Sequence, residues 1–261
     1  MSYDSQESLA TFAEAYGITY YLLSDPDSAV IRDFGILNTT ISIDDPEKHA
    51  GTGKGFYGVP FPGVYVTDES GVVSDKFFHR HYGTRESGGS IRDSALGEIL
   101  VGHEAPAAEL ENDQIKVTAF LSDPTMRFET MSMLYVRLEL ADGLHIYGNP
   151  LPEGYIATSA SIPPTKGLRV GEAIYPETVQ REFAELGVTL PVYEGVVDIG
   201  IPVTVNAEIL NWTSPDKPDS IEVPVSVLYQ ACSETVCYTP KTEELRLVVP
   251  IEALVMPGTR R

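Results

Sequence analysis

From residue 115 onward apolar and polar positions alternate. Ile115, Val117, Ala119 and Leu121 lie on one side of such a run, and Leu134, Val136, Leu138 and Leu140 on one side of the next. Ile201, Val203, Val205 and Ala207 repeat the pattern, as do Ile221, Val223, Val225, Val227 and Tyr229, and finally Leu245, Leu247, Val249 and Ile251. A period of two with one polar face predicts half-buried antiparallel strands. Several such strands, separated by Pro/Gly turns and with almost no helical periodicity, predict an all-β sandwich over residues 115–255. Residues 150–195 are rich in Pro, Gly and Tyr and predict long loops over one end.

Residues 1–101 have a mixed α/β pattern. Asp4, with Glu7 three residues on, has the spacing of a capping box, and Leu9, Phe12, Ala13 and Tyr16 follow at helical spacing up to Gly17. Ile18–Leu23 predicts a short strand. Asp25-Pro26 reads as a helix cap and first position, opening a short helix through Val30, Ile31 and Phe34. After a polar, Gly-rich loop over 44–58, Pro60-Phe61-Pro62-Gly63 leads into Val64–Val66, Asp68–Gly71 turns, and Val72–Phe78 returns as a hairpin partner. Ser90–Leu100 predicts a closing helix with Ile91, Ala95, Leu96 and Ile99 on one face. Residues 102–114 read as a linker, or an edge strand leading into the sandwich.

Composition narrows the function classes. The 261 residues carry 18 Lys+Arg against 38 Asp+Glu, a formal charge of −20. That balance argues against a nucleic-acid binder, whose affinity comes from cations on phosphates, and against an anionic membrane surface. No run approaches the ~18 apolar residues of a membrane span. Met1-Ser2-Tyr3-Asp4 shows no basic stretch or apolar core, so no signal peptide is visible and the chain as it stands reads as cytoplasmic. His79-Arg80-His81 sets two histidines on one face of a strand, but a solvated edge is the better reading than a metal site. Gly51-Thr52-Gly53-Lys54-Gly55 lacks the Gly-Lys-Ser/Thr ending of a phosphate loop. Met126, Met131 and Met133 read as packing. No metal and no organic cofactor is expected.

The chemistry concentrates in Tyr229-Gln230-Ala231-Cys232-Ser233-Glu234-Thr235-Val236-Cys237-Tyr238-Thr239-Pro240. It holds the only 2 cysteines of the chain. A disulfide closing so short a loop contributes about 2 kcal/mol, little as a staple in a domain with an ample core. Short-loop, exposed disulfides are the ones that exchange. A passive hairpin disulfide and a pair of buried thiols remain the alternatives. Glu234 would not lower a thiol pKa, so activation has to come from groups elsewhere.

This stretch, running into Leu245–Ile251, resembles the N-terminal domain of the thiol:disulfide interchange protein DsbD. Gly143-Leu144-His145-Ile146-Tyr147, Tyr175-Pro176 and Leu190-Pro191-Val192-Tyr193 resemble other parts of that family. The resemblance implies an immunoglobulin-like fold, a redox pair at Cys232 and Cys237 on adjacent hairpin strands, electron exchange with thioredoxin-fold proteins, and a periplasmic setting. It also implies a loop that caps the resting pair. Phe183, between the two Pro segments, is the expected cap residue, with Tyr229 and Tyr238 as flanking shields.

Ile18–Pro26, Val30–Ile36 and Val59–Asp68 resemble the second half of a redoxin of the AhpC/TSA branch, a thioredoxin-like fold. The resemblance implies a cis-proline at Pro62. It begins past the strand and helix that would carry a nucleophilic cysteine, and residues 1–115 contain none. The segment is therefore expected to be incomplete and to lack peroxidase chemistry of its own. Either the start is truncated, or the remnant packs against the second domain or a second chain in a homo-oligomer. The expected function is thiol–disulfide oxidoreduction through Cys232 and Cys237, related to peroxiredoxin-type antioxidant proteins. The competing expectation is a non-catalytic interaction module with a structural hairpin disulfide and the redoxin remnant as an assembly surface.

Overall fold

Ser5, and not Asp4, opens the first helix. Its hydroxyl accepts from Ser8 N at 3.2 Å and caps α1 (Gln6–Tyr16). The Asp4 carboxylate instead takes the Ser2 hydroxyl. Gly17 ends α1 at φ 63°, a conformation that costs glycine nothing, and Ile18 N then closes on Ala13 O at 2.9 Å. A computed structural model describes residues 1–42, 56–79, 83–102, 104–183, 187–209 and 218–252. The Gly51–Gly55 loop, and Arg80 and His81 of the histidine pair, lie outside the described residues.

The chain divides into two units: Met1–Val64 with Phe77–Tyr82, and Tyr65–Lys76 with Gly83–Arg261. In the first unit Ile18–Leu23 does not become a strand. A strand needs neighbours for its N–H and C=O groups, and the pairing here is the single parallel bridge Ser2–Ser24. Tyr20, Tyr21 and Leu23 stay exposed. Helix α2 (Ala29–Asp33) starts later than Asp25-Pro26 suggests, yet Asp25 still serves it: its carboxylate accepts from Ile31 N at 2.8 Å and Val30 N at 3.3 Å. Pro62 is not a cis-proline. Asn149–Pro150 is the cis peptide bond among the described residues. Phe61 N donates to Ile36 O at 2.7 Å and Pro60 bridges Leu37, so this segment runs extended straight into β1 (Gly63–Thr67), which pairs with β2 (Val73–Phe78).

The second unit continues with β3 (Arg85–Glu86) and α3 (Gly88–Leu96). Ser87 caps α3 through Ser90 N at 3.1 Å, and Gly97 ends it at φ 62°, so the helix lies earlier than Ser90–Leu100. Gly89 approaches the sandwich backbone: a Cβ there would clash with the Ser122 carbonyl oxygen.

The alternating runs form an immunoglobulin-like β-sandwich. One sheet orders β4 (Ala107–Glu111), β5 (Ile115–Leu121), β6 (Thr130–Leu140), β12 (Val196–Val205) and β9 (Leu168–Val170). Opposite lie β15 (Lys241–Pro250), β13 (Ser220–Tyr229) and β8 (Ser159–Ser161). A further sheet orders β10 (Val179–Phe183), β11 (Val188–Glu194), β7 (His145–Tyr147) and β14 (Ala231–Cys232). The inward residues Val117, Val136, Ile199, Val223 and Leu247 meet in one core that also holds Met126. Of the two readings for 102–114, the edge strand is observed, since β4 pairs with β5. Residues 150–195 are not loops alone. Leu190 and Val192 are buried, and their strand β11 pairs with both β10 and β7.

Glu86 sits where β3 joins β6. Burial pushes its carboxyl up to about 7, against a hydrogen bond with Ser90, and Asp123 and Asp75 add to the rise. A folded-state value above the unfolded one, about 4.3, gives stability present below the unfolded pKa and lost as pH rises through about 7. Glu86→Gln is expected to remove that loss. Urea midpoints at about pH 5 and about pH 8 should converge in the variant relative to the parent; an unchanged pH slope would refute the assignment.

Candidate functional site

Strand β13 delivers Tyr229, and β14 delivers Ala231, to the main core. The next residue, Cys232, faces the other way, into a smaller cluster with Tyr147, Leu190 and Val192. Its register is fixed by β7, where Ala231 opposes Ile146 and Cys232 opposes His145. The intervening turn holds itself: Ser233 N donates to Val236 O at 2.8 Å, and the Ser233 hydroxyl accepts from Thr235 N at 3.3 Å and Val236 N at 3.1 Å. Tyr238 N donates to Ala231 O at 2.9 Å, returning the chain beside Cys232. Cys232 and Cys237 are disulfide-bonded, with Cα atoms 4.0 Å apart. The two sulfurs are unequal, because Cys232 is fully buried at 0% exposure while Cys237 is exposed.

Aromatic side chains wall the pair. The Tyr147 hydroxyl lies 3.6 Å from Cys237 Sγ. A disulfide sulfur carries no hydrogen, so the phenol is the donor. Burial, and then Tyr155, push the Tyr147 phenol up, which keeps that proton in place. Tyr155 meets Tyr147 edge-on at 5.3 Å between ring centroids. Phe183, from the end of β10, places its ring 5.3 Å from His145 and 6.4 Å from Tyr147, and packs on the cluster that holds Cys232.

A cation stands behind this wall. Arg181 donates to Glu194 Oε1 at 2.8 Å and Glu234 Oε1 at 3.3 Å, approaches His145 Nδ1 at 3.4 Å, and lies 5.7 Å from the Phe183 ring. Arginine has no acceptor, so Nδ1 accepts and His145 carries its proton on Nε2. That atom is buried without a hydrogen-bond partner. Burial and then Arg181 pull the His145 pKa down, with Glu194 opposing, so the ring is neutral at neutral pH.

The structure thus gathers Cys232, Cys237 and Phe183. Tyr229 is a correction: it is buried in the sandwich core, where its hydroxyl accepts from Asn112 at 3.1 Å and donates to Glu243 at 3.4 Å. It shares the inward face of Ala231, whereas Cys232, the next residue, points to the opposite face. Tyr238 flanks Cys237 but is exposed, and its carbonyl accepts from the Gln230 amide at 3.0 Å. Pro62 belongs to the other unit. Sequence reasoning did not assign roles to Tyr147, Tyr155, His145, Arg181 or Glu194. The alternation His145-Ile146-Tyr147 was the available signal, since it puts both rings on one face of a strand. No group of three or more His, Cys, Asp or Glu able to hold a metal occurs among the described residues, and no described helix is long and apolar enough to cross a membrane.

Comparison with known proteins follows this division. Residues 1–76 match the AhpC/TSA family, and the front of the chain is a partial thioredoxin-like segment. No curated protein matches the chain. Among solved structures, the N-terminal periplasmic domain of ScsB from Proteus mirabilis is 18% identical, over 53% of this chain and 49% of that one, with a TM-score of 0.37. The chain therefore spans about half the length of that relative. The reduced DsbD N-terminal domain of Neisseria meningitidis is 17% identical, over 58% of this chain and 91% of that one, with a TM-score of 0.31. Residues 113–249, more than half of the chain, match the model described as thiol:disulfide interchange protein DsbD, N-terminal, and the chain belongs to that family.

Proposed function

We propose that the protein is a thiol–disulfide oxidoreductase that passes electron pairs to and from thioredoxin-fold partners through Cys232 and Cys237. The family match and the bonded cysteine pair support a thiol–disulfide redox role in general. The observation that carries the finer reading is the asymmetry of the pair, an exposed Cys237 joined to a buried Cys232 inside an aromatic wall.

Cys237 is the sulfur a partner can reach. A partner thiolate attacks Cys237 Sγ, the S–S bond breaks, and Cys232 leaves as a thiolate that takes up a proton. A mixed disulfide now joins the partner to Cys237. The partner's second thiol attacks its own sulfur in that bond and releases the Cys237 thiolate, which is also protonated. Two electrons and two protons have passed from a partner dithiol to the pair, and the reverse sequence discharges it. The Tyr147 O–H, already on Cys237 Sγ, stabilises the departing thiolate. Residues 1–115 hold no cysteine, so in a relation to peroxiredoxin-type proteins this pair supplies electrons and the cysteine that meets the peroxide lies outside this stretch.

Equilibration with glutathione or thioredoxin, followed by thiol alkylation, tests the proposal. The expected potential lies near that of thioredoxin, about −270 mV, or above it. A value below about −300 mV would identify a structural disulfide and an interaction module instead.

A further inference from the structure

We propose that Arg181 is a positioning residue: with Glu234 it latches the strand that carries Phe183 to the turn between the two cysteines, and the latch favours the disulfide over the dithiol. The inference takes its functional meaning from the exchange reading above.

The Arg181 guanidinium collects groups from separate stretches of the chain. Glu194 lies on β11, His145 on β7, Phe183 on its own strand β10, and Glu234 in the turn. Glu194 and His145 fix the guanidinium where it stands. The Arg181–Glu234 ion pair, at 3.3 Å, then joins β10 to a turn whose other hydrogen bonds are largely its own. Arg181 is 27% exposed and Glu234 82%, so the pair is wet on one side and easily parted.

Reduction changes the geometry at the turn. With dithiothreitol the balanced step is disulfide plus dithiol giving dithiol plus cyclic disulfide: one S–S bond breaks in the protein, one forms in the reagent, and two protons follow the electrons. The two protein sulfurs move from bonding distance to van der Waals separation, about 3.5–4 Å. Cys232 is held by β7 and the buried cluster, so the shift falls on the turn and Cys237. That movement draws Glu234 away from Arg181. The ion pair is made with the disulfide and weakened with the dithiol, so it biases the equilibrium toward the disulfide.

Redox equilibria in dithiothreitol buffers test this, because the reagent is neutral and poises even a structural disulfide. At low ionic strength, Glu234→Gln and Arg181→Gln are each expected to shift the constant toward dithiol by about twofold to fivefold, the range of a partly exposed ion pair. Sodium chloride near 1 M, where the screening length is about 3 Å, should shift the parent likewise and leave both variants unmoved. Arg181→Lys should restore most of the parent behaviour. If Arg181 acted only as a cation stabilising a thiolate, the two Gln variants would move in opposite directions, and that result would overturn the latch. So would variants equal to the parent. A parent potential below about −300 mV would sink the exchange reading, while the variant-to-parent ratio would still decide the latch.

Discussion

Cys232→Ser is expected to leave a protein that captures thiol reagents at Cys237 and goes no further, whereas Cys237→Ser abolishes capture. The two substitutions remove one sulfur each from the same bond, so their difference reports the environment of the sulfur left behind. In Cys232→Ser that sulfur is exposed and next to the Tyr147 hydroxyl; in Cys237→Ser it is fully buried among Tyr147, Leu190 and Val192. Exchange needs a thiolate and a line of approach. Burial in apolar surroundings raises a thiol pKa and closes the approach at the same time. With an aromatic disulfide reagent, Cys237 in Cys232→Ser should react at least about tenfold faster than Cys232 in Cys237→Ser. Cys232→Ser should also accumulate a mixed disulfide with a thioredoxin-fold partner that lacks its own resolving thiol and whose remaining cysteine has been loaded with the aromatic reagent, the Cys237 thiolate displacing the reagent's thiolate. Each variant loses only a short-loop constraint, about 2 kcal/mol, so both are expected to stay folded. Equal reactivity of the two remaining thiols would contradict the assigned order of attack.

What could be read from the chain alone followed the range of the forces involved. The sandwich strands were legible because burial of one face imposes a period of two on the sequence itself, as Ile221 to Tyr229 shows. The end of α1 was legible because Gly17 stands at a left-handed position. Its start was misread by one residue, since Asp4 and Ser5 are both good caps and only the hydrogen bond from Ser8 decides. Ile18–Leu23 has the local pattern of a strand and no ladder, because pairing is a property of neighbours and not of the segment. A Cys232–Cys237 bond was one of the readings the spacing left open, and Phe183 lies against the Cys232 cluster, near where the resemblance put it. Arg181, His145 and Tyr147 acquired their roles only through register: Cys232 opposite His145, and Glu194 opposite the same histidine on the other side of β7. Tyr229 was misplaced although parity separates it from Cys232: continued alternation puts Val227, Tyr229 and Ala231 on the core face and Cys232 on the opposite one.

Phe183→Ala is expected to open Cys232 to solvent reagents. Phe183 closes β10 opposite Val188, at the outer edge of its sheet, and its ring is half-buried against His145 and the Cys232 cluster. Removing a fully buried Phe costs about 3–5 kcal/mol; an edge ring that keeps part of its surface in water costs less. The local effect should exceed the global one, because no other ring is placed to fill the gap between His145 and Arg181 among the described contacts. In the Cys237→Ser background, alkylation of Cys232 is therefore expected to rise about tenfold or more on adding Phe183→Ala, through a local opening below the global unfolding energy. Val205→Ala provides the control. Val205 is fully buried in the sandwich core away from the pair, so it lowers stability without uncovering Cys232, and the alkylation rate should stay at the Cys237→Ser value. Acceleration by both substitutions alike would mean that reagents reach Cys232 by general loosening of the domain, and Phe183 would then be packing and not a cap.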